Sequence, residues 1–130
     1  MNRLRIGDLE MKIPIIQGGM GVAISLSALA SAVANEGGAG IISSASIGML
    51  IPDFSKDFRG ANKLALRNEI RKARKMTKGV IGVNIMVALT DYEDHMRVAV
   101  EEGADLIISG AGLPLHMPDV VIKDKKEKNN

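Results

Sequence analysis

The sequence alternates two patterns along nearly its whole length: short apolar runs that stop on small or polar residues, and longer segments with helical spacing. The apolar runs are 13–17 (IPIIQ), 39–43 (AGIIS), 80–87 (VIGVNIMV) and 106–109 (LIIS). Between them, 25–35 places Leu26, Leu29, Ala30 and Val33 on one helical face, with Ser25 as a cap and Gly37-Gly38 as its stop. Residues 63–77 do the same with Leu66, Ile70 and Ala73, closed by Gly79. Thr90 and Glu93 read as a capping box opening a helix over 90–102, which Gly103 ends. Residues 44–62 read as loop, broken by Gly48, Pro52 and Gly60. The order β-α-β-α-β-α-β predicts a parallel sheet with helical crossovers. Every apolar run ends alike, in QGGM, SSAS, NIM or SGAG, and the carboxyl ends of parallel strands are where such folds bind ligands. One shared site above the sheet is therefore expected.

Composition narrows the function classes. Aromatic residues make up 2% of the 130, namely Phe54, Phe58 and Tyr92, so base-stacking nucleic-acid modules are excluded. A net charge of +2 supports no nucleic-acid stripe, and the basic run Arg67, Arg71, Lys72, Arg74, Lys75 and Lys78 reads as a solvated helix face, with Glu69 only loosely placed to pair with Arg71 or Lys72. With no Cys there is no disulfide, thiolate metal site or Cys nucleophile, and a cytoplasmic setting is expected. Residues 1–12 lack the apolar segment of a signal peptide, and no run of about 18 apolar residues predicts a membrane span. Glu101, Glu102 and Asp105 lack metal-ligand spacing, so no metal is expected. Asp91 and Glu93 read as helix N-terminal charges. His95 reads as a surface helix residue and His116 as part of a loop.

The glycines fit no nucleotide fingerprint. GGMGVA supplies the first two glycines of G-x-G-x-x-G, but Ile24 stands at the third. GAGLPL has Gly110 and Gly112 and then runs into Pro114, and GGAG at 37–40 precedes a strand instead of following one. No G-x-x-x-x-G-K-[ST] occurs. Four β/α units are instead half of a (β/α)8 barrel, which needs about 250 residues.

PIIQGGMG, GGAGIIS, EIRKARKMTKGVIGVNIMVA and EEGADLIISGAGLP, in that order, resemble the first half of the nitronate monooxygenase family over about residues 10–119. These flavoproteins, formerly called 2-nitropropane dioxygenases, are related to the flavin-type enoyl-ACP reductases. The resemblance implies an FMN-dependent TIM barrel that oxidises alkyl nitronates with dioxygen. It places Gly18, Gly19 and Met20 beside the flavin ring, has Asn84 hydrogen-bond it, and lines the same pocket with Ser109, Gly110 and Ala111. The residues themselves leave alternatives open: the glycines could form a plain βα turn, and Asn84 could merely tie two loops together.

The family pattern continues with a Gly-Gly-His segment carrying its catalytic histidine and with later loops for the FMN phosphate. Here no His follows Gly18-Gly19 or Gly37-Gly38, so no catalytic role falls on His95 or His116. The expectation is residues 1–119 as the N-terminal half of the barrel and 120–130 as a charged, disordered tail. A half-barrel leaves sheet edges unpaired, which implies self-association or a complementing C-terminal half. The other expectations are a flavin-dependent enoyl-ACP reductase and a non-catalytic half-barrel acting only by association.

Overall fold

The computed structural model describes residues 2–121, and the remaining 122–130 of the anticipated tail lie outside the described residues. The chain opens with a hairpin, β1 (Leu4–Ile6) antiparallel to β2 (Leu9–Met11), turned by Gly7 at φ +57°. Then come α1 (Ser27–Asn35), β3 (Ala39–Ser43), α2 (Phe58–Met76), β4 (Val80–Met86), α3 (Tyr92–Glu101) and β5 (Leu106–Gly110). The hairpin was not anticipated, although the Gly7-Asp8 pair between apolar residues is a two-residue turn signal.

β3, β4 and β5 pair in parallel and in sequence order. Residues 13–17 extend this sheet by one position beyond β3. Ile13 and Gln17 donate to Gly37 and Ala39, and Ala39 donates to the Ile15 carbonyl. The Gln17 side chain then continues the ladder where the main chain departs: its Oε1 accepts from Ile41 N at 3.1 Å and its Nε2 donates to Ile41 O at 3.2 Å. Residues 13–17, expected as a strand, form only a single bridge, Ile16 to Ala39, because the chain leaves the ladder at Gln17; the bridge, β3, β4 and β5 lie in the order in which they occur, with no switch point. All three helices contribute to one buried cluster, with Ala30, Ala34, Leu66, Ile70, Met96 and Val98 packed over Ile42, Ile81, Val83 and Ile85. A doubly wound sheet would carry helices on both faces. Here the opposite face holds Ala39, Ile41, Val80, Leu106 and Ile108, closed at one end by Met11 and Leu4 of the hairpin. This is half of a (β/α)8 barrel with a hairpin plug.

Local details depart from expectation for packing reasons. α1 turns its small residues Ser27, Ala30, Ser31 and Ala34 to the core and leaves Leu29 exposed, because it lies so close to β3 that a Cβ on Gly40 would collide with the Ala30 carbonyl. Val33 instead faces a groove of about 350 Å³ lined by Ile13, Ile15, Ala32, Val33, Glu36 and Gly38. α2 starts at Phe58, five residues before the expected start, because the Asp57 carboxylate accepts from Gly60 N at 2.9 Å. The basic run stays largely exposed, as read, but its arginines are engaged: Arg67 and Arg71 fork onto Glu101 and Glu102 and Arg74 reaches Asp105, while Arg59, nearer the start of α2, holds Asp94. Val120, assigned to the tail, is buried in the main core. Among the described residues, no helix is long and apolar enough to cross a membrane.

α1 has no cap of its own, since Ser25 is engaged elsewhere; Glu69 of α2 takes the role, its Oε2 accepting from Ser27 N at 2.9 Å while Lys72 holds Oε1 at 3.0 Å. Burial of Glu69 works against its charge, but the Ser27 and Lys72 hydrogen bonds outweigh it and hold the carboxyl below the usual glutamate range. Glu69→Ala is expected to cost about 2 kcal/mol by urea titration at pH 7. Because the folded state keeps this carboxylate charged more readily than the unfolded one, the contribution is full above the ordinary glutamate value of 4.5 and is lost as pH falls below it. The gap between Glu69→Ala and the natural sequence should therefore narrow at pH 3.5.

Candidate functional site

The loops after 13–17, β3, β4 and β5 all leave the carboxyl edge of the sheet. Residues 18–25 form a compact loop tied by Ser25. Its N donates to Met20 O at 2.9 Å, its Oγ accepts from Met20 N at 3.0 Å, and its carbonyl accepts from Ser43 N at 2.9 Å. Two glycines of this loop are set by close approach. A Cβ on Gly19 would stand 2.6 Å from Asn84 Cβ and 3.3 Å from Ile41 Cγ2, and one on Gly21 would stand 3.1 Å from Ala45 Cβ. Gly18 differs: a Cβ there would meet nothing within 4 Å, and the residue is exposed. The space beside its Cα is empty, while its carbonyl accepts from Gln17 Nε2 and Ser25 Oγ, each at 3.5 Å.

Asn84 is half-buried near the end of β4 and pairs in register with Ser43 and Ile108. Its side chain is on the same sheet face as Ile41 and Ile108, the face away from the helices, and its Nδ2 donates to Ile108 O at 3.4 Å. Gly110 continues that face, again with nothing within 4 Å of a Cβ. Ala111 follows in the left-handed region at φ +56° and is exposed. Ser109 does not join them by its side chain. It pairs with Ile85, whose side chain is in the helix-facing core, so Ser109 Oγ points to the helix side, where it is buried without a hydrogen-bond partner among the described residues. Only its main chain remains at the strand end. Gly18, Gly19, Asn84 and Gly110 therefore meet at one rim, with Met20 beside them 62% exposed. Met86, Leu113 and Leu115 add exposed apolar surface from the neighbouring strand ends and loops. The groove beside α1 contains none of these residues.

Sequence reasoning misplaced one group. His95 is not on the surface but fully buried. Its Nε2 lies 3.0 Å from Asp91 Oδ2 and its Nδ1 2.8 Å from Ser44 Oγ. Asn62 donates to the same Asp91 oxygen at 2.8 Å and accepts from Gly48 N at 2.7 Å. Asp91 stands at the start of α3, as read from the sequence, and is also a buried network member, while the Thr90 capping box does not form, with no side-chain cap at this helix start. The i, i+4 spacing of Asp91 and His95 was the available signal. The row of Ser, His and Asp has the composition of a hydrolase triad, but Ser44 and His95 are wholly inaccessible, so no substrate reaches the hydroxyl.

These residues suit a flat, conjugated ring. The space beside the Cα atoms of Gly18 and Gly110, empty within 4 Å of where a Cβ would stand, permits close approach, and a half-buried amide at Asn84 offers both a donor and an acceptor. The profile of the nitronate monooxygenase family matches residues 3–117. No curated protein matches the chain in sequence. Among solved structures, FabK from Thermotoga maritima is 28% identical with a TM-score of 0.67, covering 88% of this chain and 32% of its own. The M276A mutant of the same FabK is 27% identical with a TM-score of 0.66, covering 88% and 34%. The chain thus spans about a third of the length of these structures.

The two glycines separate by test. Gly19→Ala is expected to cost about 1–3 kcal/mol in denaturant titration, because its Cβ drives into Asn84. Gly18→Ala should leave the free energy of unfolding within about 0.5 kcal/mol of that of the natural sequence.

Proposed function

Because the chain belongs to the nitronate monooxygenase family, whose members are flavin-dependent oxidoreductases, we propose that it forms the first half of an FMN pocket in an enzyme that oxidises alkyl nitronates with dioxygen. The observation that carries this reading is the packing of Gly19 directly on Asn84, beside Gly18, where the space a side chain would take is empty. It holds an uncluttered backbone surface and a polar amide at one rim.

Gly18, Gly19 and Met20 would lie along the ring, and Asn84 would fix its orientation by donating and accepting at once. Gly110 and Ala111 would line the pocket from the next strand, with Ser109 contributing main chain only. The bound flavin would accept electrons from the substrate and pass them to dioxygen. This chain's part is to bind and orient. The exposed apolar residues Met20, Met86, Leu113 and Leu115 would shield the ring from water once the barrel is closed. Closure would come from a complementing C-terminal half or a second copy, since the edges at 13–17 and β5 each lack a neighbouring strand among the described residues.

The likeness to FabK favours a second reading, a flavin-type enoyl-ACP reductase using NAD(P)H. Supplying the complete enzyme with nitronate and dioxygen, or with an enoyl thioester and NAD(P)H, separates the two: only one pair should turn over. Association without chemistry is the outcome if neither does.

For this chain, FMN titration followed by flavin fluorescence, with size-exclusion chromatography on the same sample, is the direct test. Saturable binding is expected, and Asn84→Leu should weaken it about tenfold, the equivalent of one lost hydrogen bond of about 1.4 kcal/mol. Absence of saturable binding in both monomeric and associated forms would overturn the FMN assignment for this chain.

A further inference from the structure

The Asn62–Asp91–His95–Ser44 network closes on itself. Ser44 and Gly48 are the two ends of one tight turn after β3, in which Ile47 N also donates to Ser44 O at 3.3 Å. Asn62 holds the Gly48 end through its amide oxygen, and His95 holds the Ser44 end through Nδ1. Asp91 joins the two holders, accepting from both. A carboxylate only accepts, so the His95 proton sits on Nε2 and Nδ1 accepts from the Ser44 hydroxyl. The fit is tight: a Cβ on Gly48 would stand 2.6 Å from Asn62 Oδ1.

The clamped turn touches both parts of the candidate site. Ser44 N donates to Asn84 O at 3.0 Å, and Ala45 is the residue against which Gly21 packs. We propose that His95 is a positioning residue: by clamping the 44–48 turn it sets Asn84 on one side and the 18–21 loop on the other. His95 itself, wholly buried, touches no ligand. The consequence for FMN affinity rests on the flavin reading above, whereas the consequence for the positions of Asn84 and Gly21 does not.

The clamp is sensitive to protonation, since a proton on Nδ1 removes the acceptor for Ser44. The charged groups around His95 are Asp91 and Asp94 from α3, with Arg59 of α2 paired to Asp94. β3, β4 and the 44–48 turn contribute no charged side chain. Burial pushes the imidazole below its ordinary value of 6.5, and the two aspartates only partly oppose this. The unfolded chain therefore takes up this proton before the folded one does. The clamp's contribution to stability is full above pH 6.5 and declines as pH falls below it.

The test uses the whole 15N-labelled chain with His95→Gln and Ser44→Ala. In the natural sequence the His95 ring should show the neutral Nε2–H form at pH 7. In both variants the Asn84 side-chain amide and the Gly21 and Ala45 backbone amides should shift, and the FMN dissociation constant should rise about tenfold. A lower melting temperature with those three signals and the FMN affinity unchanged would overturn the proposal, leaving His95 a packing residue. If His95→Gln fails to fold, Ser44→Ala, which removes only the hydroxyl, decides. If the natural sequence binds no FMN, the flavin reading fails, and the amide shifts alone decide whether His95 positions the turn.

Discussion

All three helices pack on one face of a parallel sheet, and the rest of the structure follows from that. A sheet covered on a single face still carries apolar side chains on the other: here Ala39, Ile41, Val80, Leu106 and Ile108. They need a second cover. The hairpin supplies it at the amino end, where Met11 is buried, and the sheet's own curvature toward missing neighbours would supply it elsewhere. Strand order without a reversal has the same cause, because successive units wound in one sense each add the next strand at the same edge.

Close approach by small residues makes the winding tight. Gly40 lets α1 settle on β3, Gly79 admits the Ala34 carbonyl, and Gly19 lets the first loop rest on Asn84. Around this apolar layer the helices are laced by arginines. Arg67, Arg71 and Arg74 on α2 engage Glu101, Glu102 and Asp105 at and beyond the end of α3. Single exposed pairs of this kind contribute little, but shared acceptors such as Glu102 fix the relative rotation of two helices. That rotation brings Asn62 and Asp91 together, and with them His95 and the turn beneath the strand ends.

The candidate site combines an open backbone rim with a buried support. The rim is made of residues with little side chain, which suits a ligand recognised through main-chain contact and one amide. The support is polar and enclosed, and every member shown in it has a hydrogen-bonded partner. A buried polar network that is satisfied in this way specifies one arrangement, because any displacement leaves a desolvated polar group unpaired. Rim and support meet at Ser44, whose main chain holds Asn84 and whose hydroxyl holds His95.

The sequence by itself determined the alternation of elements beyond the opening hairpin, the parallel sheet, the strands AGIIS and LIIS to within a residue, and the glycine-rich character of the rim. These depend on local periodicity and on breakers, which act within a few residues. It also carried the family resemblance, since motif order is a property of the chain alone. Only the tertiary structure decided that His95 is buried, that Glu69 caps a helix 42 residues away, and that Ser109 turns its side chain from the rim. His95 and its partner Ser44 are 51 residues apart, and nothing in either neighbourhood marks the pairing. The start of α2 at Phe58 and the small-residue face of α1 were likewise hidden, because a cap's geometry and the closeness of a neighbouring strand override local preference. Contacts between distant segments are set by packing, and packing exists only once the chain has folded.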